Sequence, residues 1–412
     1  MQYGCIGEHL THSFSKEIHA LLQDYLYELK EIPMGALDDF MTQRDFKAIN
    51  VTIPYKQDVI PYLKGMEETA ATIGAVNTIV NREGQLYGYN TDFGGMENLL
   101  KRTGVDLKGK KVLILGTGGT SKTAMAVAQH MGAASVWKVS RSQKPDALTY
   151  EDVLQNHLDA QVLINTTPRG MFSREGGMPI DPTLFPDLCG AVDAVYNPLR
   201  TEFILKARSM GVPAAGGLYM LVSQAVLASQ IFLDTTYSDS VTEEVYRKIK
   251  TGKENIVLTG MPGSGKTTVG KRLAEELDRP YLDTDALIEE KVGATPAQII
   301  ATRGEAAFRD IETEVIREIS TRTGSVIATG GGAILRKENI ALLRMNGRIF
   351  FLDRPVEQLI PTEDRPLSST KEDMMKRYNE RYPVYVATAD VIVENNDTPD
   401  VATRRVKKEF LK

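Results

Sequence analysis

Residues able to handle phosphate are grouped most tightly at 255–268, Asn-Ile-Val-Leu-Thr-Gly-Met-Pro-Gly-Ser-Gly-Lys-Thr-Thr. An apolar run, Ile256-Val257-Leu258, reads as a buried strand and gives way to Gly260, Gly263, Ser264, Gly265, Lys266, Thr267 and Thr268. A helical pattern follows from Val269 to Leu277, so the glycines lie between a strand and a helix, as a phosphate-binding loop requires. Glycines let backbone N–H groups turn inward around an anion, and the helix N-terminus adds partial positive charge. Lys266 would reach the outer phosphates and the Thr267 hydroxyl would hold Mg²⁺. The plainer alternative is a Gly-rich turn that only resembles such a loop. A strand, a Lys and a Thr all in place favour the nucleotide reading.

Other clusters have the same character. Tyr281-Leu282-Asp283-Thr284-Asp285 reads as the end of a strand, with both carboxylates on one face. One would join Thr267 at the metal and the other would take a substrate hydroxyl. Arg309 and Glu312, three apart on a helix, form either a surface ion pair or part of a site. Gly330-Gly331-Gly332 is conformationally costly and makes sense where a ligand approaches the backbone. Arg365 and Arg381, taken singly, are ordinary surface arginines. Toward the N-terminus, Ser13 and Ser15 can aim both hydroxyls at a carboxylate if their loop is extended, or else cap a helix. Lys56 follows the strand-like Val51-Thr52-Ile53 and the stop at Pro54. Gly74-Ala75-Val76-Asn77-Thr78 and Gly88-Tyr89-Asn90-Thr91-Asp92 close two more short apolar runs. Polar strand ends of this kind collect in clefts.

The elements that must position these residues follow from the apolar pattern. Tyr3–Ile6 reads as a strand and Glu17–Leu29 as an amphipathic helix. From Lys111 the pattern becomes strand, glycine loop, helix: Lys111–Leu115, then Gly116-Thr117-Gly118-Gly119-Thr120, then Ala124–Met131. Ser135–Ser140, Val162–Ile164 and Ala191–Val195 continue the alternation, which implies a parallel sheet with helices on both faces. In that setting the glycine loop binds a dinucleotide pyrophosphate. The second strand ends in Ser140-Arg141-Ser142-Gln143-Lys144 instead of a carboxylate. Arg141, helped by Lys144, suits a 2′-phosphate, so NADP is expected over NAD.

A phosphate loop that usually opens its domain comes here after an extensive N-terminal unit. The expected class is α/β: an N-terminal α/β substrate domain plus a Rossmann-type NADP-binding domain, followed by a P-loop domain with a parallel sheet. The divisions are 1–95, completed by about 220–240, for the substrate domain and 96–219 for the nucleotide domain. The polar stretch 234–254, with a short helical pattern at Val245–Ile249, reads as a terminal helix plus a linker at 241–253. Residues 254–412 form the last domain. A net charge of −5 over 412 residues, with no basic excess in either half, argues against nucleic acid. No apolar stretch approaches membrane length, the N-terminus lacks a signal-peptide pattern, and two cysteines fit a reducing compartment. The expected location is cytoplasmic. The five histidines show no metal-ligand spacing.

With these motifs in order, residues 1 to about 235 resemble shikimate dehydrogenase. The resemblance rests on His12-Ser13-Phe14-Ser15, Asn50-Val51-Thr52-Ile53-Pro54-Tyr55-Lys56, Gly74–Thr78, Asn90-Thr91-Asp92, Asn165-Thr166-Thr167-Pro168 and Gly216–Gln224. It implies that Ser13 and Ser15 hold a substrate carboxylate, and that Thr52, Asn77, Tyr196 and Gln224 surround the ring. Lys56 and Asp92 would form the catalytic pair that reduces 3-dehydroshikimate to shikimate with NADPH, and Gly217 would join the cofactor site. Lys16 and Ala20 depart from the family's usual Pro and Asn, which bears on loop geometry more than on the hydroxyls.

The chain from Asn255 onward resembles shikimate kinase, through Gly-Lys-Thr-Thr, Asp-x-Asp, Phe308-Arg309-x-x-Glu312, Gly-Gly-Gly, Arg365-Pro366-Leu367 and the Arg381 before Tyr382-Pro383. It implies that Asp285, Arg309, Gly331, Gly332 and Arg381 bind shikimate, with Asp285 positioning the hydroxyl that is phosphorylated. Asp283 and Thr267 would serve Mg²⁺, and Lys266 and Arg365 would neutralise the phosphoryl group of ATP. Arg365 sits in a short lid that lacks an arginine the family often carries. The expectation is a bifunctional enzyme with small-molecule substrates, and a homo-oligomer is compatible with the sequence. The alternatives are a quinate-type dehydrogenase joined to another polyol-acid kinase, or a ligand-sensing regulator without turnover.

Overall fold

The computed structural model describes residues 1–10, 14–172, 176–359 and 371–412. Ser13 and Arg365 therefore lie outside the described residues. The chain divides into two compact units, Met1–Ile249 and Lys250–Lys412.

The first unit contains two sheets. One is built from β1 (Tyr3–Gly7), β2 (Tyr27–Glu31), β3 (Ala48–Val51), β4 (Gly65–Met66), β5 (Thr78–Arg82) and β6 (Gln85–Tyr89), in the order β2-β1-β3-β5-β6-β4. β1 pairs in parallel with β2 and β3, whereas β5 runs antiparallel to β3 and β6. Helices α1 (Ser15–Leu22), α2 (Leu37–Gln43) and α3 (Glu68–Ile73) accompany it, and α4 (Thr91–Thr103) leads onward.

The second sheet contains β7 (Lys111–Leu115), β8 (Ser135–Ser140), β9 (Ala147–Thr149), β10 (Val162–Asn165), β11 (Gly190–Asp193) and β12 (Ala214–Ala215). Its order is β12-β11-β10-β7-β8-β9 and every pairing is parallel. Helices α5 (Gly119–His130), α6 (Tyr150–Asn156) and α7 (Glu202–Ser209) connect its strands, and α8 (Leu218–Leu233) and α9 (Val241–Lys253) follow. The unbroken apolar run of β7 is explained by burial on both faces. Val112 and Ile114 pack with α4 and α5, while Leu113 and Leu115 enter a second core with Val153, Phe203 and Ile204.

The second unit has a five-stranded parallel sheet, β14-β15-β13-β16-β17, from β13 (Asn255–Thr259), β14 (Tyr281–Asp283), β15 (Val326–Ala328), β16 (Gly347–Asp353) and β17 (Val391–Glu394). Helices α10 (Lys266–Leu277), α11 (Thr284–Val292), α12 (Pro296–Ser320), α13 (Lys337–Asn346), α14 (Lys371–Thr388) and α15 (Pro399–Leu411) surround it. β13 again splits its apolar residues, Val257 to one core and Ile256 with Leu258 to the other.

Several expectations need correction. The helix expected over Glu17–Leu29 ends at Leu22, and Tyr27 to Glu31 form β2. Polar Gln23 and Asp24 break the helical stripe, and Tyr27 and Leu29 then alternate with exposed Glu28 and Lys30, the period of a strand. β3 stops at Val51, so Thr52 and Ile53 already belong to the turn that carries Lys56. Asp283 and Asp285 do not share a strand face. Asp283 ends β14 and caps α11, its carboxylate accepting from the Asp285 N–H at 3.1 Å, while Asp285 lies in the first helical turn. The stretch read as a helical pattern at Val245–Ile249 plus a linker at 241–253 is one helix, with Val245 and Ile249, four apart, buried beside Phe14 and Val222.

Candidate functional sites

In the first unit the predicted polar strand ends converge. Asn90 caps α4, its side chain accepting from the Phe93 N–H at 3.3 Å and donating to the Ala75 carbonyl at 2.9 Å. That fixes the start of α4 and places Asp92 in its first turn, where the helix dipole favours a carboxylate. Lys56 comes from the turn after β3, which is held by the Val76 N–H donating to the Lys56 carbonyl at 2.8 Å. Lys56 Nζ stands 2.5 Å from Asp92 Oδ2, with the side chains 20% and 12% exposed, so the pair is largely shielded from solvent but still reachable.

Beneath this pair lies a neutral network. Asn77 Oδ1 accepts from the Thr91 N–H at 2.8 Å, and Asn77 Nδ2 donates to Thr91 Oγ1 at 3.0 Å. Asn50 Nδ2 donates to the Asn77 carbonyl at 3.2 Å and to Thr78 Oγ1 at 3.1 Å, while its Oδ1 accepts from Tyr27 at 2.6 Å. The Tyr27 ring stacks on His19 at 3.9 Å. His19 is fully buried, and burial pushes its imidazole down to about 3, so it is neutral. Gln224 enters from α8, with Oε1 3.5 Å from Thr91 Oγ1. Gly95 permits that approach, because a Cβ there would stand 2.8 Å from the Met220 carbonyl.

Other predicted residues of this unit are placed more loosely. Ser15 is the first residue of α1, and the cap position is Phe14 with no side-chain cap bond, so Ser15 is not the helix cap. The Thr52 N–H donates to the Ile6 carbonyl at 2.9 Å. The Tyr196 ring lies 5.3 Å from that of Phe14, and burial raises its phenol. Sequence reasoning missed Asp193, the wholly buried last residue of β11. Its carboxylate accepts from Thr201 Oγ1 at 2.6 Å and from the Val195 N–H and Asn165 Nδ2, each at 2.9 Å, and so anchors the turn that bears Tyr196. Burial pushes it up to about 7. An Asp at a strand end before Tyr196-Asn197-Pro198 was the available signal.

At the dinucleotide loop, Gly116 has φ 118° and a Cβ would meet Thr166 Oγ1 at 2.7 Å, so only glycine fits. Gly118 and Gly119 open α5, and Cβ atoms there would meet nothing within 4 Å, leaving the helix N-terminus approachable by pyrophosphate. Thr120 continues the helix, and Lys144 Nζ donates to Thr117 Oγ1 at 2.8 Å, bringing a cation from beyond β8 to the loop. The Ser142 N–H donates to Ser140 Oγ at 3.3 Å, shaping the turn on which Arg141 is exposed. At Gly217 a Cβ would lie 2.2 Å from the Ala194 carbonyl, and its N–H donates to the Val195 carbonyl at 2.8 Å. These residues fit a phosphorylated dinucleotide: open amides, two cations and no carboxylate at the end of β8.

In the second unit a cleft of about 340 Å³ gathers residues from each motif read in the described part of that unit. Gly263, Gly265, Lys266, Thr267 and Thr268 line it, as do Asp283, Asp285, Arg309, Gly331, Gly332 and Arg381. Gly260, Gly263 and Gly265 have φ of 148°, 81° and 89°, which only glycine adopts at ease. Lys266 Nζ donates to the Gly260 and Met261 carbonyls at 2.8 and 2.9 Å, arched over its own loop. Ser264 is buried behind that loop, its Oγ without a partner, and shapes the loop instead of lining the cleft. Thr267 Oγ1 lies 3.3 Å from Asp283 Oδ2, and Tyr281 donates to the same oxygen at 2.9 Å. A hydroxyl and a carboxylate oxygen side by side fit Mg²⁺, which takes few protein oxygens and keeps waters and phosphates.

Arg309 and Glu312 are no surface pair. They lie on α12 beyond a break at Gly304, Nη1 to Oε2 is 2.7 Å, and Glu312 is 0% exposed. Burial raises the Glu312 carboxyl against the opposing pull of Arg309. Burial alone would lower Arg309, and Glu312 and Glu305 raise it on balance. The three glycines make room for the protein's own side chains. A Cβ at Gly330 would meet Asp285 Oδ1 at 2.7 Å and Glu312 Oε1 at 3.0 Å, and one at Gly332 would meet Arg309 Nη2 at 2.1 Å. Arg381 Nη1 donates to the Gly331 carbonyl at 3.2 Å, and burial lowers its guanidinium. Phe308, Glu312 and Arg377 also line the cleft without having been singled out as ligand-binding residues.

No described helix is long and apolar enough to cross a membrane. Residues 5–79 match the family model for the shikimate dehydrogenase substrate binding domain, and residues 262–411 match that for shikimate kinase. A shikimate dehydrogenase (NADP(+)) of Clostridium beijerinckii is 33% identical over 261 residues, covering 59% of this chain and 96% of that protein. Among solved structures, a chorismate mutase/shikimate 5-dehydrogenase fusion protein from Clostridium acetobutylicum is 36% identical with a TM-score of 0.57, covering 60% of this chain and 96% of that one. Shikimate 5-dehydrogenase from Thermus thermophilus, solved in complex with NADP(H) and shikimate, is 31% identical with a TM-score of 0.54, covering 60% of this chain and 99% of that one.

Proposed function

The chain belongs to the shikimate dehydrogenase family and carries a shikimate kinase domain over residues 262–411, and from that premise we propose how the residues of each half do their work. It is a bifunctional enzyme of the shikimate pathway. The first unit reduces 3-dehydroshikimate to shikimate and the second phosphorylates shikimate. Residues 1–95 with 220–240 form the substrate domain, 96–219 the NADP domain and 254–412 the kinase.

NADPH, when bound along the Gly116–Thr120 loop with Arg141 and Lys144 at its 2′-phosphate, supplies the hydride. Lys56 gives the proton to the developing alkoxide and places positive charge beside it. Asp92, 2.5 Å away, orients the ammonium and hydrogen-bonds the ligand hydroxyl. Asn77, Gln224, Thr52 and Tyr196 hold the ring, and Ser13 and Ser15 hold the carboxylate.

In the second unit, ATP with Mg²⁺ supplies the phosphoryl group. Lys266 and Arg365 draw off its charge, Thr267 and Asp283 hold the metal, and Asp285 aligns the attacking hydroxyl. Arg309, fixed by Glu312, and Arg381, fixed on the Gly331 carbonyl, clamp the carboxylate. The observation that carries this reading is the single cleft joining Lys266, Asp285, Arg309 and Arg381, four residues that come from four separate motifs.

The test is formation of phosphorylated shikimate from 3-dehydroshikimate, NADPH, ATP and Mg²⁺ by the intact chain. Lys56→Ala should stop NADPH oxidation yet leave phosphorylation of added shikimate, and Lys266→Ala should do the reverse. Failure of the wild-type chain in either half-reaction overturns that half.

A further inference from the structure

Among the described residues, three guanidinium groups line the kinase cleft, and the proposed roles use only two of them. Arg377 stands one helical turn before Arg381 on α14, so the two project from neighbouring positions of one face. Arg309 is engaged by Glu312 at 2.7 Å and Glu305 at 3.2 Å, and Arg381 donates to the Gly331 carbonyl at 3.2 Å. Among the described residues, no carboxylate pairs with Arg377. Its charge is felt by its neighbour: Arg377 and Arg309 both add to the burial that lowers the Arg381 guanidinium.

Cations facing one another across a cleft of about 340 Å³ oppose the folded state until an anion enters. The substrate acid brings one carboxylate, which Arg309 and Arg381 already match. Phosphoryl transfer adds a group of roughly two negative charges to the same molecule, and planar guanidinium binds phosphate through two parallel hydrogen bonds. A helical turn spans about 5.4 Å, comparable to the reach from a ring carboxylate to an oxygen two carbons further round. With Arg381 on the carboxylate, the preceding turn is the place for a contact to that oxygen's phosphate.

We propose that Arg377 grips the phosphate of the newly phosphorylated acid, making it a determinant of product affinity in this cleft. The proposal rests on the kinase reading of the second unit and on no residue outside the described ones. It predicts a protein that holds its product more tightly than its substrate.

The experiment uses the full chain with ADP and Mg²⁺ present and titrates shikimate and 3-phosphoshikimate separately by calorimetry. Arg377→Met should weaken the phosphorylated acid by about tenfold or more, the value of a charged hydrogen bond. It should change shikimate by less than about twofold, within the scatter of surface substitutions. Arg377→Lys, which keeps the charge and the packing, should fall between wild type and Met for the product alone. Equal weakening of both ligands, or of neither, overturns the proposal, as does a Lys variant as poor as Met toward both. A wild-type chain that binds neither acid would instead sink the kinase reading itself.

Discussion

The two substrate sites are held up by opposite means. Under Lys56 and Asp92 lies a set of amides, hydroxyls and a neutral imidazole: Asn77, Asn50, Thr78, Thr91, Tyr27 and His19. Under the kinase cleft lies an ion pair, Arg309 with a fully buried Glu312. Neutral groups cost little to bury once they are hydrogen-bonded, whereas a buried ion must be matched by its partner or it destabilises the fold. The first site can therefore keep its shape with modest penalties. The second holds its charges in tension, with Glu312 Oε1 lacking a partner and lying close to where a Gly330 Cβ would sit.

The contrast is sharpest where the charges act. At the first site catalysis should concentrate in one pair, so Lys56→Ala should lower kcat/KM of the reduction by about 10²–10⁴. The urea midpoint of the first unit should hardly move. Trp137, the sole tryptophan, lies in β8 and reports that unit's unfolding by fluorescence. A drop in midpoint equal to the loss of activity would show that the pair is structural.

At the second site, removing the carboxylate should cost stability. Glu312→Ala removes the whole group that accepts from Arg309 Nη1 and leaves that guanidinium buried without its partner, a change worth about 3–5 kcal/mol. The unfolding phase that Trp137 does not report should shift by that amount, with shikimate affinity falling as Arg309 loses its anchor. A shift below about 1 kcal/mol would mean that water already solvates the pair, and the contrast between the sites would collapse.

How far this contrast was legible in the sequence depends on what each feature needs. The glycine loops and their strands were readable because a strand, a glycine turn and a helix are local: β7 and β8 fall at the expected Lys111–Leu115 and Ser135–Ser140. Lys56 and Asp92, 36 residues apart, were joined by resemblance, since no spacing rule pairs a turn lysine with a helix-start aspartate. The burial of Glu312 was not readable. An Arg and a Glu three apart look the same on a wet helix and on one pressed against Gly330 and Gly332, and the difference lies in the fold around them. Asp193 was missed for a similar reason, because its three donors come from β10, the following turn and Thr201. The helix wrongly extended through Tyr27 shows the reverse error, a local pattern overridden by pairing of β2 with β1.

The buried ionisable groups also respond oppositely to acid. His19 is held neutral, its folded pKa of about 3 lying below the unfolded value of about 6.5. The unfolded chain thus binds the proton first, and His19 withdraws stability from the first unit as pH falls below about 6.5, by about 2 kcal/mol at pH 5, while Asp193, raised to about 7, adds about as much over the same range. Glu312 is raised, so its contribution is fullest in acid and fades as pH rises. Between pH 7 and pH 5 the His19 and Asp193 contributions offset each other in wild type, so removing the imidazole exposes the other: His19→Leu should make the Trp137-reported transition strengthen by about 2 kcal/mol on acidification. A His19→Leu transition that responds to acid no differently from wild type would contradict a neutral buried imidazole.

The smallest effect belongs to a second Arg–Glu pair of the same chemistry at the surface of the first unit. Arg102 meets Glu243 through two bonds of 2.9 Å, with the side chains 37% and 45% exposed, and its guanidinium lies over Tyr219 and Tyr246 at 4.7 and 4.4 Å. Water solvates both ions, so the pair gains little from Coulomb attraction, and the ring contacts add a comparable amount. Arg102→Ala should cost about 1 kcal/mol, read from the Trp137 transition, with α9 loosened against α4 and both activities kept. The ionic share of that cost should shrink in molar salt, where the Debye length falls to about 3 Å. The cost of Glu312→Ala should not shrink, since ions do not reach a carboxylate that is 0% exposed. If salt reduced both costs alike, burial would not be what separates the two pairs.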